Sequence, residues 1–78
     1  MKPEQSLDIV FYTRQGCHLC DDAAEVLRAH RVGYQEVDID DHPELVERFN
    51  TCVPVIEIDG VVRFRGRVDP RLLRRLLK

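Results

Sequence analysis

Apolar positions along this chain fall in short separated runs, and each run has its own period. Leu7 to Thr13 is a β-type stretch, and its Leu7–Tyr12 part is nearly continuous in apolar side chains. That fits a strand buried on both faces. From Cys17 or Cys20 to His30 the period changes. Ala23, Val26, Leu27 and His30 recur at spacings of three and four, which predicts an amphipathic helix. Gly33 is expected to end that region. Tyr34 to Ile39 reads as a second strand, with Val37 and Ile39 on one face. Asp41 and Glu44 then predict an N-cap and capping box for a short helix, with Leu45, Val46 and Phe49 inward.

Val53 to Ile58 and Val61 to Val68 predict two more strands. Asp59-Gly60 between them is a strong signal for a tight hairpin. In the last strand Val62, Phe64, Gly66 and Val68 alternate with Arg63, Arg65 and Arg67. One buried face, one cationic face and an edge position are expected. Such an arginine row can receive an acidic partner or the carboxylates of glutathione. More often such a row simply keeps an edge soluble and discourages sheet-to-sheet aggregation. Asp69 and Pro70 predict the cap and first position of a final helix, striped by Leu72, Leu73, Leu76 and Leu77. The order is βαβαββα, an α/β chain. Its first two strands, joined through a helix, are expected to be parallel in a right-handed unit.

Length narrows the picture to one domain spanning 1–78, with a thin core and a polar, disordered segment over 1–6. At 44% hydrophobic and 33% charged residues, the composition is that of a globular domain. No apolar run approaches the ~20 residues that span a bilayer, so no membrane association is expected. The opening residues lack the apolar stretch of a signal peptide, so a cytoplasmic location is expected. Charge is unevenly spread. Residues 1–60 carry 13 acidic and 5 basic side chains, whereas 61–78 carry 1 acidic and 7 basic. The basic end interleaves with leucines, which fits the solvated face of a terminal helix rather than a nucleic-acid tail.

The candidate chemistry sits in Arg14-Gln15-Gly16-Cys17-His18-Leu19-Cys20, at the junction of the first strand and helix. Cysteines three apart on a first turn share a face and can bridge if the backbone allows. Gly16 suits the sharp turn that such a junction needs. The first thiol lies where unpaired N–H groups and the positive dipole end favour an anion, and thiolate is the nucleophile. Asp21, Asp22 and Glu25 oppose this slightly. In a reducing compartment this motif near a βαβ pattern is catalytic or metal-binding rather than structural. Thiol–disulfide exchange is the expectation. Half of a zinc or iron–sulfur site, completed by outside ligands, is one rival, although no second ligand pair is spaced for it. A catalytically inactive adaptor is the other. His18 can stabilise a neighbouring thiolate or merely face solvent. Cys52 can be a third exchangeable thiol, a glutathionylation site or a metal ligand, but a small packing residue is the expectation.

With Phe11-Tyr12-Thr13-Arg14 before Cys17-x-x-Cys20, Val53-Pro54 opening the third strand and Asp59-Gly60 in the hairpin, the chain resembles the glutaredoxin-like branch of the thioredoxin fold. The resemblance covers essentially Leu7 to Lys78 and implies a four-stranded mixed sheet flanked by helices. It implies that Cys17 attacks and Cys20 resolves. It implies a cis peptide bond before Pro54, facing the cysteines, and a Val53 backbone that pairs with an incoming disulfide partner. Tyr12 becomes an aromatic flanking the site. Arg14 becomes a basic residue that assists the thiolate or holds a glutathione carboxylate. No bound cofactor is implied. The partners would be a disulfide-containing protein or small thiol, with glutathione or a thioredoxin-reductase-type enzyme as electron donor, acting on a monomer. Three departures point to small glutaredoxin-like proteins rather than the glutathione-dependent enzymes. His18-Leu19 replaces Pro-Tyr, Gln15 replaces a proline, and Arg65-Gly66-Arg67 stands where a Gly-Gly pair follows the fourth strand.

Overall fold

The computed structural model describes residues 8–77; the expectation for residues 1–6, the Leu7 strand start and Lys78 lie outside them. The elements follow the order β1 (Ile9–Thr13), α1 (His18–Ala29), β2 (Gln35–Asp38), α2 (Pro43–Phe49), β3 (Val55–Ile58), β4 (Val61–Arg65) and α3 (Pro70–Leu76). A short 3-10 turn, Ile39–Asp41, precedes α2. The four strands form one sheet in the order β2-β1-β3-β4. β1 and β2 are parallel, as a helical crossover requires, and the other two pairings are antiparallel.

Side-chain alternation sends β1 to both faces of the sheet. Ile9 and Phe11 join Cys20, Ala23, Leu27, Ile56, Phe64 and Leu73 in a core beneath α1 and α3. Tyr12 packs on the opposite face, against a smaller cluster of Ile39, Phe49 and Val55 next to α2. The expectation that β1 is buried on both faces is therefore half met: Val10 and Tyr12 are only partly covered. One seven-residue helix shields that side, whereas two helices shield the other.

Several local expectations are corrected. Strand β3 begins at Val55, two residues after the expected start. Helix α1 does not end at Gly33. Its last carbonyls are closed by Arg31 N–H on Arg28 (3.0 Å) and Val32 N–H on Leu27 (3.4 Å), with Arg31 itself left-handed at φ 57°. Asp41 caps nothing. His42 occupies the N-cap of α2 without a side-chain bond, because Pro43 takes the first helical position. Strand β2 stops at Asp38, whose carboxylate accepts the Asp40 N–H at 2.9 Å and starts the 3-10 turn. Strand β4 ends at Arg65, since Gly66 adopts φ 79° and donates its N–H to the Pro54 carbonyl at 2.8 Å.

A bulge breaks the alternation expected along β4. Phe64 pairs with Ile56 and Val62 with Glu57, so Arg63 is the extra residue. Phe64 thus enters the α1/α3 core while Val62 joins the α2 cluster. The hairpin is as expected, with Asp59 and Gly60 at φ 54° and 84°. Asp69 caps α3 by accepting the Arg71 N–H at 2.9 Å. Leu73 is fully buried there, but Leu72 faces outward, outside the expected stripe.

Candidate active site

Strand β1 leads straight into the cysteine loop. Gly16, at φ 77°, makes the turn that a residue with a Cβ adopts only under strain. Cys17 then takes extended backbone angles (φ −100°, ψ 109°) and becomes the N-cap of α1. Its Sγ accepts the Cys20 N–H at 3.1 Å. The sulfur thereby takes the place of the oxygen that Ser or Asp supplies at other helix starts. The first-turn N–H groups and the dipole make this a place that accommodates negative charge. Cys17 is half-buried and Cys20 is buried, at 2% exposure.

The two sulfurs differ in environment. Burial pushes the Cys20 thiol above its ordinary range, and its hydrogen bond to the Cys17 side chain and the Cys17 charge push the same way. Hydrogen bonds from the Thr13 side chain and the Arg14 backbone partly oppose this. One cysteine is therefore half-buried at a helix mouth, and the other is buried behind it with its proton favoured. Nothing in the chain order had marked Thr13 as part of this arrangement.

The remaining expected site residues lie in different places. His18 is exposed at the first position of α1, and Leu19 is 44% exposed beside it. The Val53–Pro54 bond is cis, as the resemblance implied, and Pro54 is buried. Val53 and Cys17 both pack against the α1/α3 core. Tyr12 lies on the α2 face. Its ring rests on Phe49 with centroids 4.9 Å apart, and its hydroxyl donates to Glu57 Oε1 at 3.3 Å. Burial first, then the Glu57 charge and hydrogen bond, raise the pKa of that phenol. Cys52 is half-buried against the Ile39/Phe49/Val55 cluster, the position of a packing residue.

Arg14 is tied into a clamp. Nε and Nη2 donate to the two Asp40 carboxylate oxygens at 3.1 and 2.6 Å. Nη1 donates to the backbone carbonyl and Oδ1 of Asn50, at 3.0 and 2.9 Å. This bidentate pairing, chiefly its hydrogen bond, holds the Asp40 carboxyl below the usual range. Asp40 and Asn50 could not be picked out from the sequence. Asp38-Ile39-Asp40-Asp41 offers three carboxylates, and only the 3-10 turn selects the one that reaches Arg14. Two clefts flank the cysteine loop. A polar one of about 210 Å³ is lined by Thr13 to Gly16, Asp21, Glu36 and Asp38. A larger one of about 440 Å³ lies between α1 and the start of α3, with Leu19, Ala23, Val26, Val68 and Pro70 beside Asp22, Arg67 and Asp69. Among the described residues no three His, Cys, Asp or Glu side chains are grouped to hold a metal ion, and no helix is long and apolar enough to cross a membrane.

Known proteins resemble this chain in sequence and in fold. Residues 8–78 match the family described as glutaredoxin-like domain (DUF836). The glutaredoxin-like protein YDR286C homolog of Dictyostelium discoideum is 33% identical over 75 residues, which cover 83% of this chain and 69% of that protein. The X-ray structure of protein XcR50 from X. campestris superposes with a TM-score of 0.75 at 37% identity, over 88% of this chain and 93% of the other. The solution structure of Ne2328 from Nitrosomonas europaea has a TM-score of 0.82 at 24% identity, over 100% and 98%.

Proposed function

Given that the chain belongs to the glutaredoxin-like domain family, with a thioredoxin-like α/β fold, we propose that it is a thiol–disulfide oxidoreductase acting through Cys17 and Cys20. The reading is carried by Cys17, half-buried and with its sulfur serving as the N-cap acceptor of α1. In the forward direction the Cys17 thiolate attacks one sulfur of a substrate disulfide. A mixed disulfide forms and the first substrate thiolate leaves. Cys20 then loses its proton and attacks the Cys17 sulfur, which expels the second substrate thiolate and closes a Cys17–Cys20 disulfide. Two electrons pass to the substrate, and a thiol donor restores the dithiol. That donor would be glutathione or a reductase of the thioredoxin-reductase type.

The order of attack follows from the asymmetry of the pair. Cys20 is buried and its thiol is raised, so it is the poorer first nucleophile. Once Cys17 is in a mixed disulfide, its charge and its hydrogen bond no longer hold the proton on Cys20, and the second attack becomes easier. Insulin reduction is the test. Wild type is expected to reduce insulin well above background, Cys17→Ser to fall to background, and Cys20→Ser to accumulate a mixed disulfide on Cys17. Identical background rates for wild type and Cys17→Ser would rule this activity out.

A further inference from the structure

We propose that Asp40 sets the specificity of this site, by filling the Arg14 guanidinium and so closing the site to carboxylate-bearing thiols such as glutathione. The inference rests on the exchange reading above, names its substrate class as neutral or cationic disulfides, and of the two donors given there selects the reductase over glutathione. An anionic thiol reaching Cys17 needs a cation to meet it. Among the described residues that line the polar cleft beside the cysteine loop, Arg14 is the one cation. A carboxylate would take that guanidinium through two parallel N–H bonds, and Asp40 already does so at 3.1 and 2.6 Å. Asn50 accepts from the remaining terminal nitrogen at 3.0 and 2.9 Å. A carboxylate of the same chain competes at an effective concentration on the order of mM or more, which a weakly bound small thiol does not match.

The rest of the surroundings act in the same sense. Asp21, Glu36 and Asp38 line that cleft, and none of the three is in an ion pair among the described residues. On the other side of the loop, Asp22 and Asp69 outnumber Arg67. The arginines of β4 lie at the sheet edge opposite β2, the strand that carries Glu36 and Asp38. The carboxylates of the two clefts therefore draw positive charge to the approaches of the cysteine loop and repel negative charge there, while the helix mouth itself still accommodates the sulfur's own charge.

A series of small disulfides that differ in charge tests this. Oxidation of the reduced protein is followed with cystamine (two ammonium groups), 2-hydroxyethyl disulfide (neutral), dithiodiglycolate (two carboxylates) and glutathione disulfide. Each reaction converts one dithiol and one disulfide into the Cys17–Cys20 disulfide and two released thiols. Every rate is divided by that of dithiothreitol with the same disulfide, which removes leaving-group differences. For wild type at low ionic strength, cystamine is expected to exceed dithiodiglycolate by about tenfold or more. The gap should shrink in 1 M salt, where screening acts within about 3 Å. Asp40→Asn should raise the normalised rates of the two carboxylate disulfides by about fivefold relative to the neutral one. Adding Arg14→Gln to that variant should cancel the gain, because Asp40 acts through Arg14.

Equal normalised wild-type rates across the series would overturn the proposal. So would an Asp40→Asn variant that scales all four disulfides alike. The wild-type salt dependence needs no variant, so it stands whatever the substitution does to folding. If none of the four oxidises the wild-type dithiol, the exchange reading itself falls, and this inference with it.

Discussion

At Cys17 and Cys20, two thiols three residues apart are made unlike by depth and by their places at the helix start. The first replaces the usual oxygen of a helix cap; the second sits under the helix with 2% of its surface exposed. Burial, helped by Cys17, raises the Cys20 thiol, so its proton persists above the ordinary value of about 8.5. The folded chain thus holds that proton more tightly than the unfolded chain. The associated stability is present below the ordinary thiol range and is lost as pH rises through the raised value. In a thiolate absorbance titration, Cys20 should ionise later in wild type than in Cys17→Ser, where the cysteine-derived causes are gone and burial remains. Coincident Cys20 transitions in the two proteins would mean that Cys17 does not hold that proton. The motif itself was legible in the sequence. The partners of Arg14 were not, because Asp40 and Asn50 lie 26 and 36 residues away along the chain.

Element by element, the sequence was read best where a residue has one dominant local use. Asp59-Gly60 turns the hairpin and Asp69-Pro70 starts α3, both from local chemistry. Asp41 misled, because a carboxylate three residues before Glu44 looks like a cap unless Pro43 moves the helix start. Alanine at the two aspartates separates these cases. Asp69→Ala should cost about 1 kcal/mol of stability and Asp41→Ala less than about 0.5, read from urea midpoints at unchanged slope. The end of α1 offers a gain instead. Arg31 closes the helix in a left-handed conformation that costs a side-chain-bearing residue about 1 kcal/mol or more, and glycine nothing. Arg31→Gly is expected to raise stability by roughly 0.5–1 kcal/mol in the same measurement, after the greater chain entropy of glycine is offset.

Over the whole molecule, two unequal cores grip one four-stranded sheet, and the larger lies under the helix that carries both cysteines. Leu27, fully buried in the last turn of that helix, should cost about 2–5 kcal/mol when truncated to alanine. Against a total of about 5–15 kcal/mol for a small domain, Leu27→Ala should unfold at markedly lower urea and lose the proposed disulfide exchange in parallel. Retained activity at a urea concentration that unfolds the variant would detach the site from this core. The sequence by itself determined the element order, the strand–helix junction that presents Cys17, the parallel β1–β2 unit and the polarity of the hairpin. Each depends on periodicity, spacing or the allowed backbone angles of neighbouring residues. Only the tertiary structure decided that β1 runs between β2 and β3, that Arg63 is bulged so that Val62 and Phe64 part, and that Asp40 rather than Asp38 or Asp41 meets Arg14. Those outcomes depend on which distant segments come into register, a competition among long-range contacts that no local pattern records.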